Sequence, residues 1–302
     1  MKMTKYLFCY FTGNEPENES VHFAVSEDGY NFTALNNNEP VIKQTLGKKC
    51  CRDPYIFRDE NGVFHIIATD MRCYDGWANN NSMVVWDSVD LVNWENERII
   101  DFSGFEATKT ANRVWAPQVI FDKQRQEYMI YWSNNNEDEG WHTIPWYAYT
   151  KDFITLTSEP KILYNPTSGM AAIDGDIIEK DNKFYLFVAD EKQDGICYVV
   201  SRKTLTGAEN GSPISFESNF KLTTKGSFAA MHNGIFNAKH IANFNGAYCG
   251  RNQKINLILI AIKRIAALRV RLHEGHSELV CNRLNSVLHI LLGYLLELFE
   301  EI

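Results

Sequence analysis

Asp53 and Asp174 stand at matching places in two copies of one sequence unit. A pair of carboxylates facing one another across a shared pocket is what hydrolysis of a glycosidic bond requires: one stays ionised to activate water, while the local field keeps a proton on an acid partner. Asp53 lies between Arg52 and Pro54 in CRDPYIFRDENGVFHIIATD, and Asp174 opens IDGDIIEKDNKFYLFVADE. A third copy, APQVIFDKQRQEYMIYWS, brings Ala116 to Gln118 to the same point. An isolated aspartate usually caps a turn or bonds backbone amides. Recurrence at one place in the unit sets Asp53 and Asp174 apart from that background.

The elements that must position them follow from a second spacing. Asp28, Asp90 and Asp152 stand 62 residues apart, in SEDGYNF, DSVDLVNW and YTKDFITL. Equal spacing over three copies marks an architecture of repeated supersecondary units. Within each unit a short β-rich run (YIF, QVIF, DII) meets a polar turn and a second apolar run (VFHIIAT, YMIYWS, FYLFVAD), the pattern of a hairpin. A further strand follows (SMVVWDSVD, WYAYTKD, CYVVSRK), so each unit holds about four strands in about 60 residues, the size of a β-propeller blade. A propeller brings the innermost strand of every blade to one axis, which predicts that Asp53, Ala116 to Gln118 and Asp174 converge. Asp176, two residues beyond Asp174, is expected on the same side of its strand.

Composition narrows the partners. The chain has 302 residues, 45% hydrophobic and 13% aromatic, enough for one large all-β domain. A net charge of −8 argues against a nucleic-acid partner, because phosphate contacts need clustered Lys and Arg. Seven cysteines, including adjacent Cys50 and Cys51, without a CxxC pair, do not form a disulfide framework. The apolar run YLFCYF is short for a secretory signal, and Lys263, Arg264 and His289 interrupt the longest apolar stretches. A cytoplasmic protein with a neutral ligand and no membrane partner is the expectation.

YLFCYFTGN, FAVSEDGYNFTALN, CRDPYIFRDENGVFHIIATD, VWAPQVIFD and IDGDIIEKDNKFYLFVADE together resemble glycoside hydrolase family 43, over about residues 5–207. The resemblance implies a five-bladed β-propeller that cleaves arabinofuranosyl or xylosyl linkages of plant polysaccharides or oligosaccharides by inversion. It implies an Asp general base, which maps onto Asp53, and an Asp that tunes pKa and orients substrate, which maps onto Asp174. Arg52 beside the base is expected either to favour its ionised form or to form a salt bridge within the blade. Trp115 and Trp77 are candidate sugar platforms, since an aromatic face stacks on the CH face of a sugar. Tyr74, Trp141 and His142 are further loop candidates. Gln118 stands where an acidic residue often follows Trp-Ala-Pro in the family, keeping hydrogen bonds while removing a charge. The related sucrose- and fructan-cleaving enzymes also carry Arg-Asp-Pro, but the Asn-Asp-Pro-Asn setting of their nucleophile is not present in this N-terminus.

The general acid is harder to place. The family leads to a Glu-Gly segment in the next blade, whereas here Glu209 and Glu217 are the glutamates between residues 208 and 273, and neither precedes Gly. Glu217 is the candidate acid. Beyond Arg251 the chain turns Leu- and Ile-rich at helical spacing, with Leu284, Leu288, Leu291, Leu295 and Leu298. The expected organisation is a propeller domain over 1–248, incomplete in its last blades, and a helical tail over 249–302. Either the propeller is closed by a helical cap, or the reading frame was lost or recombined after residue 207; the second accounts for the missing acid, blade and aspartates together. An alternative function follows, that of a catalytically inactive propeller that binds saccharide. No cofactor is required by this chemistry and no metal ligand set stands out; the resemblance admits a structural calcium ion, for which His232 and His240 are the residues nearest to hand. The Trp-Asp and kelch signatures of protein-interaction propellers are missing.

Overall fold

The hairpins of the first two complete repeats are each set by the side chain of an aspartate at the turn. Asp59 Oδ1 accepts the amides of Asn61 and Val63 at 2.9 and 2.7 Å, and Asp122 Oδ1 accepts those of Gln124 and Arg125 at 2.9 and 3.1 Å. Such side-chain-to-backbone bonds satisfy turn amides that the ladder cannot reach. The computed structural model describes residues 6–26, 32–138, 140–166, 169, 171–180, 182–191, 196–202, 204–209, 212–213 and 216–223. Asp28, His232, His240 and the segment 249–302 lie outside the described residues.

The strands assort into sheets in chain order. A three-stranded sheet runs β1 (Tyr6–Tyr10), β2 (His22–Ser26) and β3 (Thr33–Ala34). A four-stranded sheet, blade I, follows with β4 (Cys51–Arg58), β5 (Phe64–Asp70), β6 (Ser82–Ser88) and β7 (Glu95–Asp101). Blade II holds β8 (Arg113–Asp122), β9 (Glu127–Asn135), β10 (Ile144–Thr150) and β11 (Lys161–Ile162). In blade III, β12 (Ala172–Lys180), β13 (Lys183–Asp190) and β14 (Ile196–Arg202) are joined at the edge by β17 (Phe216–Thr223), while β15 (Ala208–Glu209) pairs only with β16 (Ser212–Pro213). Four antiparallel strands per unit, each pairing with the next, are what the repeat predicts.

Register makes the equivalence residue by residue. Tyr6 pairs with Ser26, Phe64 with Ser88, Tyr128 with Thr150 and Phe184 with Arg202. Thus β1 corresponds to the second strand of each blade, and Phe11, Thr69, Ser133 and Ala189 occupy one equivalent position.

The Ser/Thr-x-Asp turns are superimposable hydrogen-bond for hydrogen-bond. Ser88 Oγ accepts the amides of Asp90 and Leu91, and Asp90 Oδ1 those of Val92 and Asn93; Thr150 and Asp152 do the same for residues 152–155. Leu91 and Phe153 take the left-handed conformation, with φ of 67° and 57°. The amides of Asn93 and Val92 hold the Asp90 carboxyl down to about 2. A carboxylate whose folded pKa is depressed contributes stability that is present above its ordinary value of 3.8 and lost as pH falls through about 2. Asp90→Ala is therefore expected to be destabilised at neutral pH, with its deficit relative to wild type shrinking between pH 4 and pH 2. Urea titrations at several pH values measure this, and a deficit independent of pH would contradict it.

Apolar residues fill the spaces between sheets. Because successive strand residues face opposite ways, Ile66 packs with Cys9, Phe23 and Ile56, while Ile67 packs with Val85, Ile130 and Trp132. Met129, Tyr131, Leu186 and Val188 fill the space between blades II and III. Strands buried on both faces explain why VFHIIAT and YMIYWS read as continuous apolar runs.

Candidate active site

The inner strand of each blade breaks its ladder at the same place. In blade I the register jumps between Arg52 and Tyr55, in blade II between Trp115 and Gln118, and in blade III between Ile173 and Asp176. Each jump sets two residues against one on the neighbouring strand, a β-bulge. The first bulged residue in each is left-handed: Asp53 at φ 49°, Ala116 at 50° and Asp174 at 55°. Non-glycine residues adopt this conformation rarely, aspartate more readily than most, and bulges re-aim side chains next to active sites. The bulge also overturns one expectation. Counting two residues from Asp174 to Asp176 does not keep them on one face of β12, because the extra residue reverses the alternation. Asp174 is half-buried, whereas Asp176 is 6% exposed.

A hydroxyl ties the bulges of blades II and III to the preceding blade. Thr69 Oγ1 accepts the Ala116 amide at 2.8 Å, and Ser133 Oγ accepts the Asp174 amide at 2.9 Å. Thr69 Oγ1 also donates to Asp53 Oδ2 at 3.0 Å. Asp53 is thus connected through Thr69 to the backbone beside Trp115.

Arg52 has a partner that the sequence reading did not name. Its Nη1 donates to Glu19 Oε1 at 3.0 Å and to Asn14 Oδ1 at 2.9 Å. The ion pair joins blade I to the segment between β1 and β2 instead of lying within the blade. Glu19 is fully buried and also accepts the Cys73 amide. Burial pushes the Glu19 carboxyl above its ordinary value; the Cys73 amide and Arg52 pull the other way without cancelling it. The Arg52 guanidinium lies over the rings of Phe11 at 4.5 Å and Trp77 at 5.1 Å.

Both tryptophans proposed as platforms join this group. Trp77 meets Trp115 edge-on, centroids 6.2 Å apart, and Arg113 lies 4.4 Å over Trp115 while pairing with Glu191 at 2.7 Å. Trp77 is 48% exposed, so part of its ring is open to solvent next to Arg52, the residue before Asp53. Tyr74 and Trp141 are exposed loop aromatics, and His142 is half-buried. Gln118, by contrast, is 1% exposed, and its Oε1 accepts the Tyr131 hydroxyl, which in turn accepts the Ile177 amide of blade III. Its hydrogen bond serves the contact between blades.

Glu217 falls on β17, where its backbone pairs with Val200 of β14. With strand order β12-β13-β14-β17, that position is three strands out from Asp174, about 14 Å at the usual strand spacing. The outer edge of a blade is remote from its inner strand, so the backbone of Glu217 stands away from Asp174. Among the described residues no three His, Cys, Asp or Glu side chains converge as a metal site, and no step is routed through calcium. Glu19, Thr69 and Phe11 were missed from sequence. Aligning the ends of the second strands (HIIATD with MIYWSN) would have found the hydroxyl position; nothing local marks Glu19.

An all-β architecture of repeated blades, carrying paired aspartates on inner-strand bulges beside an aromatic cluster, defines a glycosidase-type propeller. A family model described as a probable glycosyl hydrolase domain, related to glycoside hydrolase family 43, matches residues 2–240, and the chain belongs to that family. An α-L-arabinofuranosidase of Bifidobacterium longum is 24% identical over 213 residues, 63% of this chain and 20% of that protein, so the chain spans about a fifth of that relative. Among solved structures, an exo-1,5-α-L-arabinanase from a bovine ruminal metagenomic library matches 76% of this chain and 78% of its own at 18% identity, with a TM-score of 0.54. A xylan β-1,4-xylosidase from Bacillus halodurans matches 72% of this chain and 40% of its own at 14% identity, with a TM-score of 0.53. The fold is of the five-bladed β-propeller type.

Proposed function

We propose that the protein hydrolyses arabinofuranosyl or xylosyl linkages of plant-derived saccharides with inversion at the anomeric carbon. The observation that carries this reading is the pair Asp53 and Asp174, at equivalent left-handed bulges, with the half-exposed Trp77 against Arg52. In this reading Asp53 accepts a proton from the water that attacks the anomeric carbon while the bond from that carbon to the leaving oxygen breaks, and the leaving oxygen takes up a proton from solvent. Asp174 orients the sugar and adjusts the field around the acid. Trp77 and Trp115 stack on the sugar face, and Arg52 holds Trp77 in place while Glu19 neutralises it. The relatives named above as an arabinofuranosidase, an arabinanase and a xylosidase support this choice of sugars.

The test is turnover of aryl arabinofuranosides and xylosides, with the anomer first released identified by proton NMR. Release of the inverted sugar supports the proposal, and a retained product would sink it. Trp77→Ala is expected to raise KM roughly 2- to 10-fold, the worth of one aromatic contact, with kcat little changed. An unaltered KM would remove Trp77 from the platform.

The position of Glu217 favours a second reading, a propeller that binds saccharide without cleaving it. Calorimetric binding of arabino- or xylo-oligosaccharides with no product over long incubation distinguishes it from the enzyme.

A further inference from the structure

We infer that Thr69 is the positioning residue for Asp53, fixing its carboxylate through a relay that begins in the backbone of the next blade. The inference rests on the reading of Asp53 as the group that activates water. Three observations carry it. Thr69 is fully buried, so water does not compete for its hydroxyl. The Ala116 amide can only donate, and it occupies a lone pair of Thr69 Oγ1 at 2.8 Å, which leaves the hydroxyl proton directed to Asp53 Oδ2 at 3.0 Å. The same position in the other sheets carries Phe11, Ser133 and Ala189; in blade I it is Thr69, paired with Arg52 and bonding the adjacent bulged Asp53, whereas in blade III it is Ala189, paired with Ile173, which has no hydroxyl to offer.

This difference separates two otherwise equivalent aspartates. Asp53 has one oxygen held by Thr69, which leaves Oδ1 to meet a water at a set angle. Asp174 has its backbone amide fixed by Ser133 and receives no hydroxyl from Ala189. In blade I the hydroxyl of the bulge's own blade reaches a carboxylate, and in blade III the hydroxyl of the preceding blade reaches the Asp174 amide. Because Ala116 adjoins Trp115, the relay also couples the orientation of Asp53 to the strand that carries the aromatic platform.

Thr69→Val keeps the shape and removes the hydroxyl; Thr69→Ser restores it. Hydrogen bonds to charged groups predict that Thr69→Val lowers kcat about 10- to 100-fold, with KM within about twofold, and that Thr69→Ser keeps kcat within about threefold. Crystal structures of both variants read the Asp53 side chain directly: it turns away from its wild-type rotamer in Thr69→Val and stays in Thr69→Ser. Unchanged kcat in Thr69→Val, equal losses in both variants, or an unmoved Asp53 carboxylate would overturn the inference. Should Thr69→Val not fold, Thr69→Cys, a weak donor of similar size, takes its place with the same criteria. If the wild-type chain turns over no glycoside, the hydrolase reading fails while the Asp53 rotamer in the variant crystals still decides the role of Thr69.

Discussion

Asp53→Asn is expected to lower kcat on an aryl arabinofuranoside or xyloside by about 10²- to 10⁴-fold, the range supplied by a single acid/base group, with saccharide affinity retained. The amide keeps the size of the side chain and the hydrogen bond from Thr69, but it cannot take a proton from water. The contrast between kcat and affinity is expected because the proposed platform, Trp77 and Trp115, is left intact by the exchange. Steady-state kinetics with calorimetry on the same preparation would check it. Activity within about tenfold of wild type would exclude Asp53 as the base. Asp174→Asn should be compared in parallel: if Asp174 orients the sugar, its loss should change KM as well as kcat.

Arg52→Ala is expected to be the most destabilising single change near the site, by about 3–5 kcal/mol. Glu19 is fully buried, and Arg52 provides its ion pair at 3.0 Å. Removing the cation leaves a buried carboxylate with the Cys73 amide and the Cys50 thiol for support, and also uncovers the faces of Phe11 and Trp77. The pKa shift is opposite in direction to that at Asp90, yet the deficit changes with pH in the same sense. Burial already pushes Glu19 above its ordinary 4.5, and loss of Arg52 pushes it further the same way. A group whose folded pKa is raised is better tolerated when protonated, so the deficit of Arg52→Ala should shrink as pH falls towards 5. Glu19→Gln in the Arg52→Ala background should recover part of the loss. Urea unfolding of the single and double variants measures both, and a deficit under about 1 kcal/mol would show that the pair is dispensable.

The position of Arg52 illustrates how far local reasoning reaches. Its neighbour in sequence is Asp53, and a sequence reading pairs adjacent opposite charges or keeps the bridge inside the blade. In the fold, Arg52 bonds Glu19, 33 residues earlier and in another sheet. A buried cation takes the carboxylate that the packing has already stripped of water, whatever its distance along the chain. Glu217 shows the converse. Its place in the sequence, after the third unit, is compatible with an axial acid, but β14 and β17 pair and carry it to the outer edge of blade III.

Repeat length, hairpin pattern and turn chemistry were determined by the sequence alone, because they depend on contacts within a few residues. Asp59, Asp122, Asp90 and Asp152 bond amides two to four positions away, and alternating burial follows from the strand period. The equivalence of Asp53, Ala116 and Asp174 was legible for the same reason: it is a matter of counting. Only the tertiary structure decided that these residues sit on left-handed bulges, that Asp176 escapes the parity expected of it, that Gln118 is buried between blades, and that Thr69 links Asp53 to Ala116. Those features arise where two blades meet. The identity of a partner across that junction is set by which groups lose their water together, and that information is distributed over residues 33 to 47 positions apart.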